Sequence, residues 1–235
     1  MIGSPSLERA LTTTLDLTRR PVAVSFLDTP PAGVEKFSGT QPAGCSFWKL
    51  AAEGRTFYTV AEDHHNCPIG SYTHNIPLPP EREQELPQVL GLMTEIGYLK
   101  MAEVPGIPRV PKTPGVVLYA PLSDAPVAPD AVILTGQPAG LMLLHEAATR
   151  SSIPIQPLFG RPTCMAIPAA AMGNAVANSL GCVGNRIYTD LSGSELYSVI
   201  SGSQLETIAD QLDTIVSANR TLTEYHEQRR AALRS

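Results

Sequence analysis

This sequence has no long apolar run. None approaches the roughly 18 residues that a membrane-spanning helix needs, and the opening Met-Ile-Gly-Ser-Pro-Ser lacks a charged region ahead of an apolar one. The expected location is therefore the cytoplasm, with no membrane attachment. Charge is also sparse. Only 17% of residues are charged and the formal net charge is −5, so no basic field exists to hold nucleic acid. Familiar catalytic signatures are missing too: there is no G-x-x-x-x-G-K-[ST] loop, no G-x-G-x-x-G after a strand, no G-x-S-x-G elbow and no H-E-x-x-H helix. Nucleotide-driven and zinc-protease chemistry lose their support.

Cysteine is scarce: four in 235 residues, with no Cys-x-x-Cys knuckle and no ferredoxin-type run. In a short exported chain an even number would suggest disulfides. Here the chain is long enough to bury a core without staples, and 43% of its residues are hydrophobic. Metal binding and thiol redox chemistry therefore rank above disulfides, with unrelated buried thiols as the competing explanation.

What is present clusters around those cysteines. Cys45 and Cys67 bracket a segment that holds Trp48, the single tryptophan, and the sequence Asp63-His-His-Asn-Cys67. Residues 45–53 are expected to be helical with Gly54 as the C-cap, and Thr56–Val60 to be a strand. Cys67-Pro68 opens a second short helix that reaches His74. Both thiols then stand at helix N-termini, a position that lowers a thiol's pKa. His64 and His65 are candidates for proton transfer or for support of a metal ligand, and His74 could face the same pocket. Cys164 is expected to precede an Ala-rich helix over Ala166–Leu180, with Cys182 following it. Arg161 and Arg186 flank this pair and are candidate contacts for an anionic ligand or a cluster's charge.

The rest of the chain supplies a scaffold. A helix capped by Ser6 carries Leu7, Leu11 and Leu15, and Val22–Leu27 is a strand. Leu86, Val89, Leu90, Met93 and Ile96 recur at helical spacing, which reads as a core-facing helix ending at Gly97. A proline-rich connector over Val104–Pro114 suggests a boundary between residues 1–104 and 105–235, although both segments could form one compact domain. Strands are expected at 115–119, 131–135, 186–189 and 195–200. A capping box, Ser203 and Glu206, should open a last helix with Leu205, Ile208, Leu212, Ile215 and Val216 on its apolar face. The polar tail beyond Asn219 is a solvated extension or a contact between copies in a homo-oligomer. The fold class is α/β, or α+β: two loosely similar halves with mixed sheet flanked by helices and a metal site between them.

Several of these stretches together resemble a known family. R-P-V-A-V-S-F-L, C-S-F-W-K-L-A-A-E-G-R-T-F-Y-T, A-E-D-H-H-N-C-P-I-G-S-Y, S-L-G-C-V-G-N-R and E-L-Y-S-V-I-S-G-S-Q-L are similar to the prokaryotic domain-of-unknown-function family 169, also called ArCR. The resemblance runs from about Arg20 to Asn219. It carries over Cys45, His64, Cys67, Cys182 and Arg186 as motif positions, and Cys164 more loosely, but it carries over no settled activity.

The residues together lead to one expectation. Cys45, Cys67, Cys164 and Cys182 hold a metal centre, a [4Fe–4S] cluster before zinc, serving redox chemistry or the activation of a small ligand. The other readings are a structural zinc or ligand-binding module without catalysis, and a thiol redox enzyme using Cys45 or Cys67. The expected partner is a small anionic or sulfur-containing ligand, or a redox protein.

Overall fold

A computed structural model describes residues 4–157 and 162–233. In chain order the regular elements are α1 (Pro5–Thr14), β1 (Val22–Leu27), α2 (Cys45–Ala52), β2 (Phe57–Thr59), α3 (Ala61–His64), α4 (Pro68–Thr73), α5 (Glu85–Glu95) and β3 (Val116–Pro121). There follow β4 (Ala131–Gly136), α6 (Pro138–Arg150), β5 (Ile155–Pro157), α7 (Ala166–Gly173), β6 (Val176–Ser179), α8 (Val183–Thr189), β7 (Leu196–Ser201) and α9 (Leu205–Ala232).

The strands form one mixed sheet in the order β2-β3-β1-β4-β7-β6-β5. Neighbours are antiparallel except β5 and β6, which run parallel with Ile155 opposite Val176. β1 lies between β3 and β4, Val22 facing Pro121 on one side and Ile133 on the other, so strands from both sides of the proline-rich connector share the sheet.

Alternation along the strands sorts the core into two layers, because successive side chains of a strand point to opposite faces. Val22, Val24, Val117, Tyr119, Ile133 and Val199 face a layer that contains α2, α7 and the cysteine-bearing segments. Ala23, Ala120, Val132, Leu134 and Ile200 face the other, built from α1, α6 and α9. Helices thus cover both sides of the sheet, the α/β arrangement expected.

Local chemistry accounts for the helix ends. Ser4 rather than Ser6 caps α1, its Oγ accepting the Leu7 N–H at 3.3 Å. Gly54, at φ +105°, stops α2 and donates to Ala51 O at 2.9 Å. The N-cap of α9 is Gln204 and not Ser203, whose hydroxyl donates to Asn174 Oδ1 at 2.9 Å. α9 is 28 residues long, with Leu205, Ile208 and Leu212 buried and Leu222, Tyr225 and Leu233 exposed.

Two expectations in the second half need correction. The helix expected over Ala166–Leu180 ends at Gly173, because Asn174 turns left-handed at φ +45° and its N–H closes on Ala170 O. The buried stretch after it, Val176–Ser179, pairs with β7 as β6. The stretch expected to be a strand at 186–189 is instead the body of α8, ended by left-handed Asp190 at φ +52°. Its β-branched and aromatic content suggested a strand, yet Ile187 and Tyr188 point outward. The consequence for Cys182 is large: it opens a helix instead of closing one.

Among the described residues no helix is long and apolar enough to cross a membrane.

Candidate metal centre

All four cysteines line one pocket of about 300 Å³. Each comes from the start of a helix. Cys45 is the first residue of α2, Cys67 is the N-cap of α4, Cys164 lies in the 3-10 turn Thr163–Met165 that leads into α7, and Cys182 is the N-cap of α8. Topology explains the second pair. β5 and β6 are parallel neighbours joined through α7, so the segments leaving their carboxyl ends emerge at the same end of the sheet. One of those segments carries Cys164 and the other Cys182. They are tied together where the Cys182 N–H donates to Thr163 Oγ1 at 2.6 Å. α2 packs against α8, bringing Cys45 alongside.

Cys67 is held by its own turn. The Gly70 N–H donates to Cys67 Sγ at 3.3 Å, and a Cβ at position 70 would come within 2.9 Å of that sulfur, so glycine is required for the close approach. His64 fixes the same turn from behind, its carbonyl accepting the Cys67 N–H and the Ser71 hydroxyl, each at 2.9 Å.

Thr59 Oγ1 lies 2.8 Å from His64 Nε2 and 3.1 Å from Val117 O, and its one hydrogen can serve only one of them. His64 Nδ1 has no partner. Burial drives its pKa down and the His74 ring adds to the effect. His64 is thus a neutral brace behind the pocket. His65 is partly exposed and does not line it.

Burial also decides the state of the thiols. It pushes Cys45 up to about 12, with Cys67 contributing as the nearest like group. Cys67 is raised in spite of backbone N–H groups at Gly44 and Gly70, and Cys164 is raised well above the ordinary range. The helix starts expected from sequence are present, but the lowered pKa expected from them is not: desolvation outweighs a few N–H groups. Cys164 is partly accessible and lines the pocket. Cys45, Cys67 and Cys164 each feel the charge of at least one other cysteine of the set, and all four thiols are free.

Around the sulfurs lies a ring of unpaired polar atoms. Trp48 Nε1, both ring nitrogens of His74 and both amide atoms of Asn185 are buried without a hydrogen-bond partner, and all three residues line the pocket. The Asn185 amide lies beside the Cys45 thiol and the Tyr197 hydroxyl, yet reaches neither in hydrogen-bond geometry. The Tyr119 hydroxyl, close enough to feel Cys164, Cys45 and Cys67, is unpaired as well. Buried groups of this kind are seldom left without partners, and each costs on the order of 1–3 kcal/mol. Sequence patterning noted Trp48 only as the lone tryptophan between Cys45 and Cys67, and it did not single out Tyr119 or Asn185, because these become part of the site only through the packing of β3 and α8.

The candidate arginines do not meet here. Arg186 spends its guanidinium on carbonyl oxygens of Leu180, Ser192 and Glu195, bracing the chain between α8 and β7, and is absent from the pocket lining. Arg161 lies outside the described residues. His145 sits within the other layer, hydrogen-bonded to Asn178 and Ser198, and His226 is exposed on α9.

A family model described as uncharacterised ArCR, domain of unknown function 169, matches residues 10–211. The chain belongs to the ArCR family. All four cysteines, together with Trp48, His74 and Asn185, fall inside the span matched by ArCR. No curated protein and no solved structure matches the chain.

Proposed function

We propose that this pocket holds a metal centre on Cys45, Cys67, Cys164 and Cys182, and that the centre is a [4Fe–4S] cluster in a reducing cytoplasm. The observation that carries the reading is the convergence of the only four cysteines, from four separate segments, on one pocket. Soft thiolate donors with no carboxylate among them suit iron–sulfur, zinc or copper(I) centres. Four thiolates on one zinc at about 2.3 Å stand only about 3.8 Å apart, whereas a cluster spreads its ligands over the corners of a cube. Among the described residues no three His, Cys, Asp or Glu side chains are already placed to hold a metal ion, so either centre requires the sulfurs to close in around it.

Electrostatics supports the same reading. With their pKa raised by burial, Cys45, Cys67 and Cys164 ionise only if a cation enters with them, as a coordinating metal requires. The unpaired Trp48 and Asn185 N–H groups offer hydrogen bonds to the sulfurs of such a centre, which is how proteins set cluster potentials. Cluster chemistry would supply single-electron transfer, or Lewis-acid activation if one iron stays open; the chain's residues would bind the centre and shield it from water. The thiol redox reading is weaker, since no low-pKa nucleophile stands among Cys45, Cys67 and Cys164.

The test is the iron and acid-labile sulfide content of protein purified without oxygen, with its visible spectrum, beside the four single Cys→Ser variants. About four irons and four sulfides per chain, lost in the variants, is the expected result. Zinc alone, or no metal in freshly prepared protein, refutes it.

A further inference from the structure

The pocket extends beyond the sulfurs. Its outer wall comes from Val89, Leu90 and Met93 of α5, from Leu99 and Ile107 after it, and from Tyr188 of α8. Among the described residues no Asp, Glu, Lys or Arg lines it. α5 contributes no buried residue to the core, although three of its apolar side chains face the pocket. That wall is therefore the inner surface of a binding chamber. Opposite its apolar lining stands His74, only 2% exposed, with both ring nitrogens unpaired. Its neighbours are the aromatic edges of Phe26 at 5.2 Å and His64 at 5.7 Å, which offer it no acceptor.

We infer that this chamber binds an uncharged small molecule, apolar in its body and carrying one polar head that pairs with the His74 imidazole. The whole pocket, its sulfur end included, is at the lower end of the roughly 300–1,000 Å³ of small-molecule sites, so the space beyond the sulfurs suits a ligand of few heavy atoms. Among the described residues of the wall no cation stands to offset the dehydration of an anion, and Arg186 is bound to backbone carbonyls. The inference goes beyond the cluster reading and does not require it, because the apolar wall and His74 are present whatever the sulfurs hold.

Pentanamide and pentanoate have nearly the same shape and differ in charge, which makes them the probes. Trp48, the only tryptophan, lines the pocket and reports occupancy by fluorescence in metal-free protein. Calorimetry serves for protein purified without oxygen, whose iron content is measured on the same sample. Pentanamide is expected to bind saturably and pentanoate at least about tenfold more weakly. Val89→Trp and Leu90→Trp fill the chamber from a helix that is not part of the core, and both should abolish binding while leaving the melting temperature unchanged. His74→Phe should weaken pentanamide about fivefold, the value of one hydrogen bond, and leave 1-chlorobutane unaffected. Equal or tighter binding of pentanoate, no saturable binding by any probe, or undiminished binding in both tryptophan variants overturns the inference. Iron content decides the cluster reading separately.

Discussion

Replacing His74 by phenylalanine should make the ligand-free protein less sensitive to acid without weakening it at neutral pH. The imidazole is 2% exposed, has no hydrogen-bond partner, and burial lowers its pKa to about 4 from an ordinary value near 6.5. Between those values the unfolded chain takes up a proton that the folded chain refuses, so stability falls as pH drops from about 6.5 to about 4 and levels off below. A gap of about 2.5 units, at about 1.4 kcal/mol per unit, amounts to roughly 3 kcal/mol lost across that window. His64, whose pKa is lowered by burial and by His74, adds loss of the same sign and remains in the variant. Phenylalanine carries no proton and leaves no orphaned nitrogen, and the edge contact with Phe26 persists. Urea denaturation of metal-free protein at steps between pH 4 and pH 7.5 measures the effect. The variant should match or exceed the parent at pH 7 and lose about 3 kcal/mol less by pH 4. Identical pH slopes for the two proteins would refute the burial argument, and a large loss at pH 7 would mean that the imidazole has a partner inside the fold.

Other outcomes follow from the same geometry. Gly70→Ala should cost about 1–3 kcal/mol and lower metal content, read by denaturation and metal analysis, because its Cβ would press on the Cys67 sulfur. Cys45 in folded, metal-free protein at pH 8 should react with iodoacetamide on the order of a thousandfold more slowly than an ordinary thiol, since a pKa of about 12 leaves little thiolate; peptide mapping after timed alkylation checks this. Arg186→Met should lower stability by about 1–3 kcal/mol with metal stoichiometry unchanged, as expected of a brace and not of a cluster contact. Ile208→Ala should cost about 2–4 kcal/mol and Leu222→Ala almost nothing, which calorimetric melting would separate.

Much of the frame was legible from residue order alone. The starts of α2 and α4 at Cys45 and Cys67, the stop at Gly54 and the buried strands β1, β3 and β4 are set by caps, prolines and apolar runs acting over a few residues. Such signals are local, and they determined that the four cysteines would stand near helix ends. Local signals failed where two states compete over a short span. Val176–Ser179 suits helix or strand, and only pairing with β7 made it a strand. Arg186–Thr189 has strand composition, and only its place after Cys182 on the outside of the sheet made it helical. Met93 has core periodicity, yet α5 faces a pocket.

The character of the site was decided entirely in three dimensions. Sequence supplied the sulfurs and the helix starts, which argue for ionised thiols. Tertiary burial removed water from Cys45, Cys67 and Cys164 and raised their pKa, because desolvation depends on everything packed around a group and not on its neighbours in the chain. The same packing turned Arg186 toward carbonyl oxygens, left the described lining of the pocket without a charged side chain, and placed Trp48, His74 and Asn185 beside the sulfurs with their hydrogen bonds unmet.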